Sequence, residues 1–266
     1  MVTGRGLLTA AACLIMAFVV MPLLAVTWIS FFSDRIITVP PEGYTAQWYV
    51  SAWQQPAFRD GFMTSLILAL YAMASSFVIG LPAAFLIARG RFPGRDLLQL
   101  ILLSPLLVPG VVAGAGALIF FIQIELWTGY QLAGALPGLS LVHIAVALPW
   151  SIRILTAALL RIDPSLEEAA IGLGAGRMTV LTRIILPAIS PAVFAASLFG
   201  FIASFIDLEF TLFMVGPGQT TLPIAVMNYV AWSLDPTVAA VSAIQIAIVF
   251  VVLMVIDRIF GLAKTI

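Results

Sequence analysis

The sequence predicts an all-α polytopic membrane protein of about six transmembrane helices, from its composition, its long apolar stretches and the one-sided placement of its cations. Of 266 residues, 62% are hydrophobic and 9% charged, with a mean hydropathy of +1.16, whereas a soluble domain carries about 25% charged residues. Twelve Lys and Arg balance twelve Asp and Glu, so the overall electrostatics call for no nucleic acid partner and no acidic ligand. The sole cysteine, Cys13, removes disulfide frameworks and cysteine-rich metal sites. It follows Ala10, Ala11 and Ala12 as a lipoprotein cleavage residue would, but the apolar run far exceeds a signal-peptide core of roughly 7–15 residues. A retained membrane anchor is the expectation.

A helix needs about 20 apolar residues to cross a hydrocarbon core about 30 Å thick. Stretches of that length run approximately over 7–32, 62–88, 97–124, 139–160, 184–206 and 238–260, in a single transmembrane domain over 1–266. Arg5, Arg89, Arg91, Arg95, Arg161, Arg177, Arg183, Arg258 and Lys264 all fall on one side of these spans. The other side holds only Arg35 and Arg59, together with Asp34, Glu42, Asp60, Glu125, Asp207, Glu209 and Asp235. Short loops rich in Lys and Arg stay in the cytoplasm, so both termini are predicted to be cytoplasmic.

Charges inside a span are costly. Arg153, near the cytoplasmic end of the fourth span, is expected to snorkel to the headgroups. His143, near the outer end, has no second histidine and no acidic neighbour in sequence, and is read as a hydrogen-bonded structural residue. Pro22, Pro82, Pro105, Pro109, Pro149 and Pro191 interrupt spans, each removing a backbone donor. Gly110 and Gly114 form a GxxxG, which permits close helix approach.

The loop over 161–183 is too long and too patterned for a simple turn. It reads Asp163-Pro164-Ser165-Leu166-Glu167-Glu168-Ala169-Ala170-Ile171-Gly172-Leu173-Gly174. Ser165 and Glu168 have the S-x-x-E spacing of a capping box, with Pro164 just before, so a short helix is predicted to begin near Leu166. Glu167 and Glu168 favour the positive end of its dipole, and Gly172, Gly174 and Gly176 supply a stop. A nucleotide-binding reading of these glycines fails. Gly172-Leu-Gly174-Ala-Gly176 has its third glycine one place early for G-x-G-x-x-G, and the sole lysine, Lys264, follows Ala263 rather than a P-loop glycine.

Glu168-Ala169-Ala170, three residues, Gly174, nine residues, then Ile184-Ile185-Leu186-Pro187 resembles, at every fixed position, the EAA loop of ABC importer permeases. The resemblance extends over most of the chain as a six-span type I permease, nearest to the spermidine/putrescine branch through Ser204-Phe205 followed by acidic residues and Gly216-Pro217 leading to Thr221-Leu222-Pro223. It implies that the loop is a coupling helix seated in a groove of a separate nucleotide-binding subunit, with Ser165, Leu166, Glu167, Glu168, Ala169, Ala170, Gly172 and Gly174 forming the docking surface. In that case Glu168 contacts the ATPase, while Ala169, Ala170 and Gly174 allow close backbone approach. It also implies a pair of ATPase subunits carrying ATP and Mg²⁺, a second permease subunit that is a different chain, and a periplasmic or extracellular substrate-binding protein. This chain itself would be no enzyme, would hold no cofactor or metal, and would sit in a bacterial inner membrane among lipids.

Asp207 and Glu209 lie in an outer stretch, from Asp207 to Asp235, that has no Lys or Arg. They are expected either to guide a cationic substrate such as a polyamine, or simply to mark the side that the positive-inside bias leaves acidic. Tyr44, Trp48, Tyr49, Trp53 and Phe58 crowd the first outer loop and suggest an interfacial aromatic belt or a contact for a binding protein. A secondary transporter or channel would call for acids buried mid-span or an inverted repeat. An intramembrane enzyme would require a nucleophile, base or metal cluster that His143 alone cannot supply.

Overall fold

A computed structural model describes residues 2–260, apart from the side chains of 2–5, 256, 257, 259 and 260. Lys264, counted above among the cytoplasmic cations, lies outside the described residues, as does the Arg5 side chain. Among the described residues the chain is helical, with no strand beyond one isolated antiparallel bridge, Phe32 with Tyr44. Six helices are long and apolar enough to cross a membrane.

In chain order the helices begin with α1 (Val2–Ile29), then α2 (Gln47–Gln54), α3 (Pro56–Ser75), a π-helical turn (Ser76–Gly80) and α4 (Leu81–Arg89). There follow α5 (Arg95–Leu103), α6 (Gly110–Thr128), α7 (Leu136–Arg161), α8 (Pro164–Gly172) and α9 (Arg177–Val180). A second π-helical turn (Leu181–Ile185) leads into α10 (Leu186–Phe205), α11 (Leu222–Val230) and α12 (Thr237–Phe260). α3 to α4 run on as one span, Pro56–Arg89, and α9 to α10 as another, Arg177–Phe205.

Both π turns have the same local cause. Each ends just before a proline, Pro82 or Pro187, whose missing N–H and bulky ring oppose the α pattern of the preceding turn and favour wider i→i+5 bonding. The third apolar stretch departs from expectation for a related reason. The chain does not run as one helix over 97–124. Pro105 and Pro109 stop it, α5 closes through a 3₁₀ turn at Ser104–Leu106, Pro109 is extended (φ −54°, ψ 129°), and the spanning helix starts afresh at Gly110. With nine residues, α5 rises only about 14 Å, too short to span.

Backbone contacts divide the chain into two compact units. The first takes in residues up to Arg59 together with Ala225–Leu253. In it the aromatic cluster of the first outer loop folds inward rather than forming a belt throughout. Trp48 is buried and its Nε1 donates to the Phe32 carbonyl at 2.6 Å, the Tyr49 hydroxyl bonds Ser30 Oγ at 2.6 Å, and Phe58 is buried against the Tyr229 ring. Tyr44 and Trp53 remain exposed.

The second unit takes in Asp60–Ile224. Here α7 is the central helix and packs against α4 and α10. One apolar cluster joins Leu81, Ala84, Leu155, Leu159, Val180, Ile185, Ile189 and Ala196, and a second joins Leu68, Phe121, Leu132, Leu139, Val142 and Met214. Between them the helices cross on small residues. Ser151 Oγ donates to Ser76 Oγ at 2.6 Å and lies 3.1 Å from the Ala196 carbonyl, and a Cβ on Gly200 would collide with Ser76. These hydroxyls keep their hydrogen bonds inside the bundle, as buried polar groups in an apolar medium must.

Candidate functional site

The short helix predicted after the fourth span exists as α8, but its cap sits earlier than the sequence spacing suggests. Asp163, not Ser165, is the N-cap. Its backbone is extended (φ −64°, ψ 122°) and its Oδ1 accepts from the Ser165 N–H at 2.9 Å, with Pro164 in the first turn. A proline suits N1, because its absent N–H is one the helix could not bond and its φ is already helical; that placement puts the cap at Asp163. The bond from the Ser165 N–H, aided by the Ser165 side chain and the nearby Arg89 guanidinium, holds the Asp163 carboxyl below the usual carboxylate range.

The helix stops at Gly174. Its φ of +89° lies in the left-handed region, Gly174 N bonds the Ile171 carbonyl at 2.9 Å, and Ala175 N bonds the Ala170 carbonyl at 3.0 Å. This is the paired closure of a Schellman motif, for which glycine has no steric penalty. Open space surrounds the position a Cβ would take on Gly174, and likewise on Gly172.

The two adjacent glutamates have different surroundings. The Glu167 side chain is largely buried, and its Oε1 accepts from Arg89 Nε at 2.9 Å, while Arg89 Nη2 donates to the Ile162 carbonyl at 2.8 Å. Glu168 is exposed, as are Ser165, Leu166, Ala169, Gly172 and Gly174; Ala170 packs partly against the apolar cluster that includes Leu159 and Val180. Leu173 is 91% exposed and Met178 70%, so an apolar crown surrounds the end of the α8 turn. Arg89 and Asp163 carry structural roles that cation counting and the capping-box reading passed over. The Asp-Pro pair was the legible signal for the second of them.

A groove of about 720 Å³ lies behind this turn, lined by Leu81, Phe85, Leu86, Arg89, Glu167 and Ile171 among others.

At the other end of α10, the first part of the segment expected to be an outer loop, as far as Ile224, is folded into the second unit. Thr211, Met214 and Thr221 are fully buried. Asp207 Oδ2 accepts from the Thr211 hydroxyl at 2.7 Å and from its N–H at 3.1 Å. The same Thr211 hydroxyl bonds His143 Nε2 at 3.1 Å, and His143 Nδ1 bonds Ser204 Oγ at 2.8 Å. His143 is therefore buried and hydrogen-bonded on both ring nitrogens, as its isolation in the sequence suggested, and it ties α7 to the end of α10. Asp207 is engaged in this chain of bonds, whereas Glu209 is exposed.

Glu209 and Phe210 lie directly against Gly110 and Gly114, where any Cβ would strike them. The GxxxG of α6 thus accommodates a non-helical segment, not a neighbouring helix. Among the described residues no group of His, Cys, Asp and Glu is arranged to hold a metal ion.

Six helices among the described residues that are long and apolar enough to cross a membrane, with a capped short helix between the fourth and fifth, define a polytopic helical membrane protein. Residues 76–263 match the family model described as binding-protein-dependent transport system inner membrane component, and the chain belongs to that family. It is a multi-pass permease of the ABC importer class. It is 30% identical over 236 residues to the putrescine transport system permease protein PotI of Escherichia coli (strain K12), covering 88% of this chain and 84% of that protein. It is 27% identical over 245 residues to the spermidine/putrescine transport system permease protein PotC of the same organism, covering 92% and 90%. Its fold is similar to a chain in the crystal structure of a bacterial ABC transporter involved in the import of the acidic polysaccharide alginate, with a TM-score of 0.68, 16% identity and coverage of 97% of this chain and 98% of that one.

Proposed function

We propose that this chain is the membrane-spanning subunit of an ATP-driven importer for a polyamine or a related small amine, coupled to separate ATPase subunits through α8. The observation that carries the coupling is the α8 turn itself. It is a helix capped at both ends, with Glu168, Leu166 and the adjoining Leu173 exposed, a surface suited to seating in a groove of a partner subunit. ATP and Mg²⁺ belong to that partner pair. A second permease, a different chain, completes the pathway, and an extracytoplasmic binding protein delivers cargo. All 266 residues act as one membrane domain, with both termini and α8 on the cytoplasmic side, which the distribution of Arg residues supports.

The amine cargo rests on the likeness to the two polyamine permeases and on the exposed carboxylate of Glu209, which can attract a cation. Asp207 contributes indirectly, by fixing the turn that presents Glu209.

Purification of the tagged chain from native membranes, followed by mass spectrometry, tests the coupling. An ATPase subunit and a second permease are expected to co-purify, and Glu168→Lys is expected to release the ATPase subunit alone. Recovery of the chain by itself, under conditions where a known importer stays assembled, would overturn the reading in favour of a self-contained carrier or channel. Uptake of putrescine that is unchanged by Glu209→Gln would remove Glu209 from the cargo path.

A further inference from the structure

The coupling helix is joined covalently to only two spans. α8 follows α7 through Ile162 and Asp163, and it leads to α9 and α10 through Leu173 to Gly176. It has no covalent link to the second span, which ends at Arg89 far away in sequence. Yet a single guanidinium from that span reaches both sides of the α7–α8 junction. Arg89 Nη2 satisfies the carbonyl of Ile162, the residue that closes α7, and Arg89 Nε pairs with Glu167 in the first turn of α8. The charges suit both dipoles: the cation lies in the last turn of α4 and the anion in the first turn of α8.

We propose that Arg89 is the positioning residue of the coupling helix, a forked tether through which movement of α8 is delivered to the second span as well as to the fourth and fifth. Three features support a mechanical role over a decorative surface pair. Both partners are about four-fifths buried, with side-chain exposures of 19% and 20%, so the bond is less screened than an exposed one. The fork fixes direction as well as distance, which a lysine could not reproduce. Finally, α4 and α8 both line the groove of about 720 Å³, whose walls are mostly apolar, and Arg89 and Glu167 join the two helices along it. The same pair divides the labour of the adjacent glutamates: Glu167 is committed inward to the tether, and Glu168 is left free for a partner.

The tether rests on the coupling role proposed above, so its test has one arm that depends on the ATPase and one that does not. In the isolated chain, Arg89→Gln is expected to speed amide hydrogen exchange across Leu166–Gly172 by about tenfold or more, because α8 loses its lateral anchor. Unchanged exchange would overturn the tether whatever α8 docks against. In the assembled transporter in proteoliposomes, Arg89→Gln is expected to leave the amount of bound ATPase subunit within about twofold while lowering substrate moved per ATP hydrolysed by about fivefold or more. The exchange of partners, Arg89→Glu with Glu167→Arg, is expected to recover part of that ratio, since it restores the ion pair but not the bond to Ile162. A ratio within about twofold of wild type, or a parallel loss of assembly and transport that the exchange leaves unrecovered, would overturn the mechanical role. Absence of any ATPase subunit from the wild-type preparation would instead overturn the coupling role, with the exchange arm still deciding whether Arg89 anchors α8.

Discussion

At the scale of single residues, small groups set the local geometry. Gly174 sits at φ +89°, where an L side chain costs about 1–2 kcal/mol. Gly174→Ala is therefore expected to loosen the closing turn of α8 by that amount, seen as faster amide exchange at Gly174 and Ala175, even though open space surrounds the added methyl. Asp163 gives a pH dependence of defined sign. Its folded pKa is lowered, so its contribution to α8 is fully present above the unfolded carboxylate value and is lost as pH falls through the folded one. Intrinsically corrected exchange of α8 amides should be flat from neutrality down to mildly acidic pH and should rise only below the ordinary Asp range. Asp163→Asn, which keeps a capping oxygen, should abolish that acid-side rise while leaving α8 formed at neutral pH. His143 presents the buried case. Replacing it with Ala strands the hydroxyl of Ser204, which costs about 1–3 kcal/mol when unsatisfied, and removes the tie to Thr211, which keeps its bond to Asp207, so thermal unfolding in detergent should occur at a clearly lower temperature.

At the scale of elements, the contact between α6 and the turn after α10 is the most demanding fit. Gly110 and Gly114 receive Glu209 and Phe210 at distances that admit no Cβ. Gly114→Val is expected to displace the turn and to destabilise the unit by about 1–3 kcal/mol, the usual cost of overpacking. Uptake should fall more than stability does, since the displaced turn carries Glu209. A variant with unchanged melting temperature and unchanged uptake would show that the turn is not held there. The GxxxG spacing was legible in the sequence, but its occupant was not. The pattern specifies a close approach, and nothing local distinguishes an arriving helix from an arriving turn. The same holds for Pro105 and Pro109. Hydropathy averages across them, so the third span read as starting at Leu97, whereas backbone chemistry places its start at Gly110.

At the scale of the whole molecule, the one-sided cations make a topological prediction. In a chain with Cys13→Ala, a cysteine at Ser165 should react with a membrane-impermeant maleimide only after the cells are permeabilised. A cysteine at Thr38, on the side that holds Asp34 and Glu42, should react in intact cells. The reverse pattern would invert the proposed orientation and remove α8 from any cytoplasmic ATPase.

The sequence by itself determined the all-α membrane class, the number of spans, the presence of a capped helix between the fourth and fifth, and, through that helix, the importer family. These properties follow from composition, apolar length and short-range spacing, all of which act within a few turns of chain. Only the tertiary structure decided that Glu167 turns to Arg89 while Glu168 stays free, that Asp207 is occupied by Thr211 while Glu209 is exposed, and that the stretch after α10 folds back against α6. The first and the last depend on partners 78 and about a hundred positions apart in the chain, and Thr211, only four positions from Asp207, is itself tied to His143, 68 positions away. Hydrogen bonds and ion pairs are local in space, and in an apolar medium every polar group must find such a partner. Which partner it finds is set by how the spans cross.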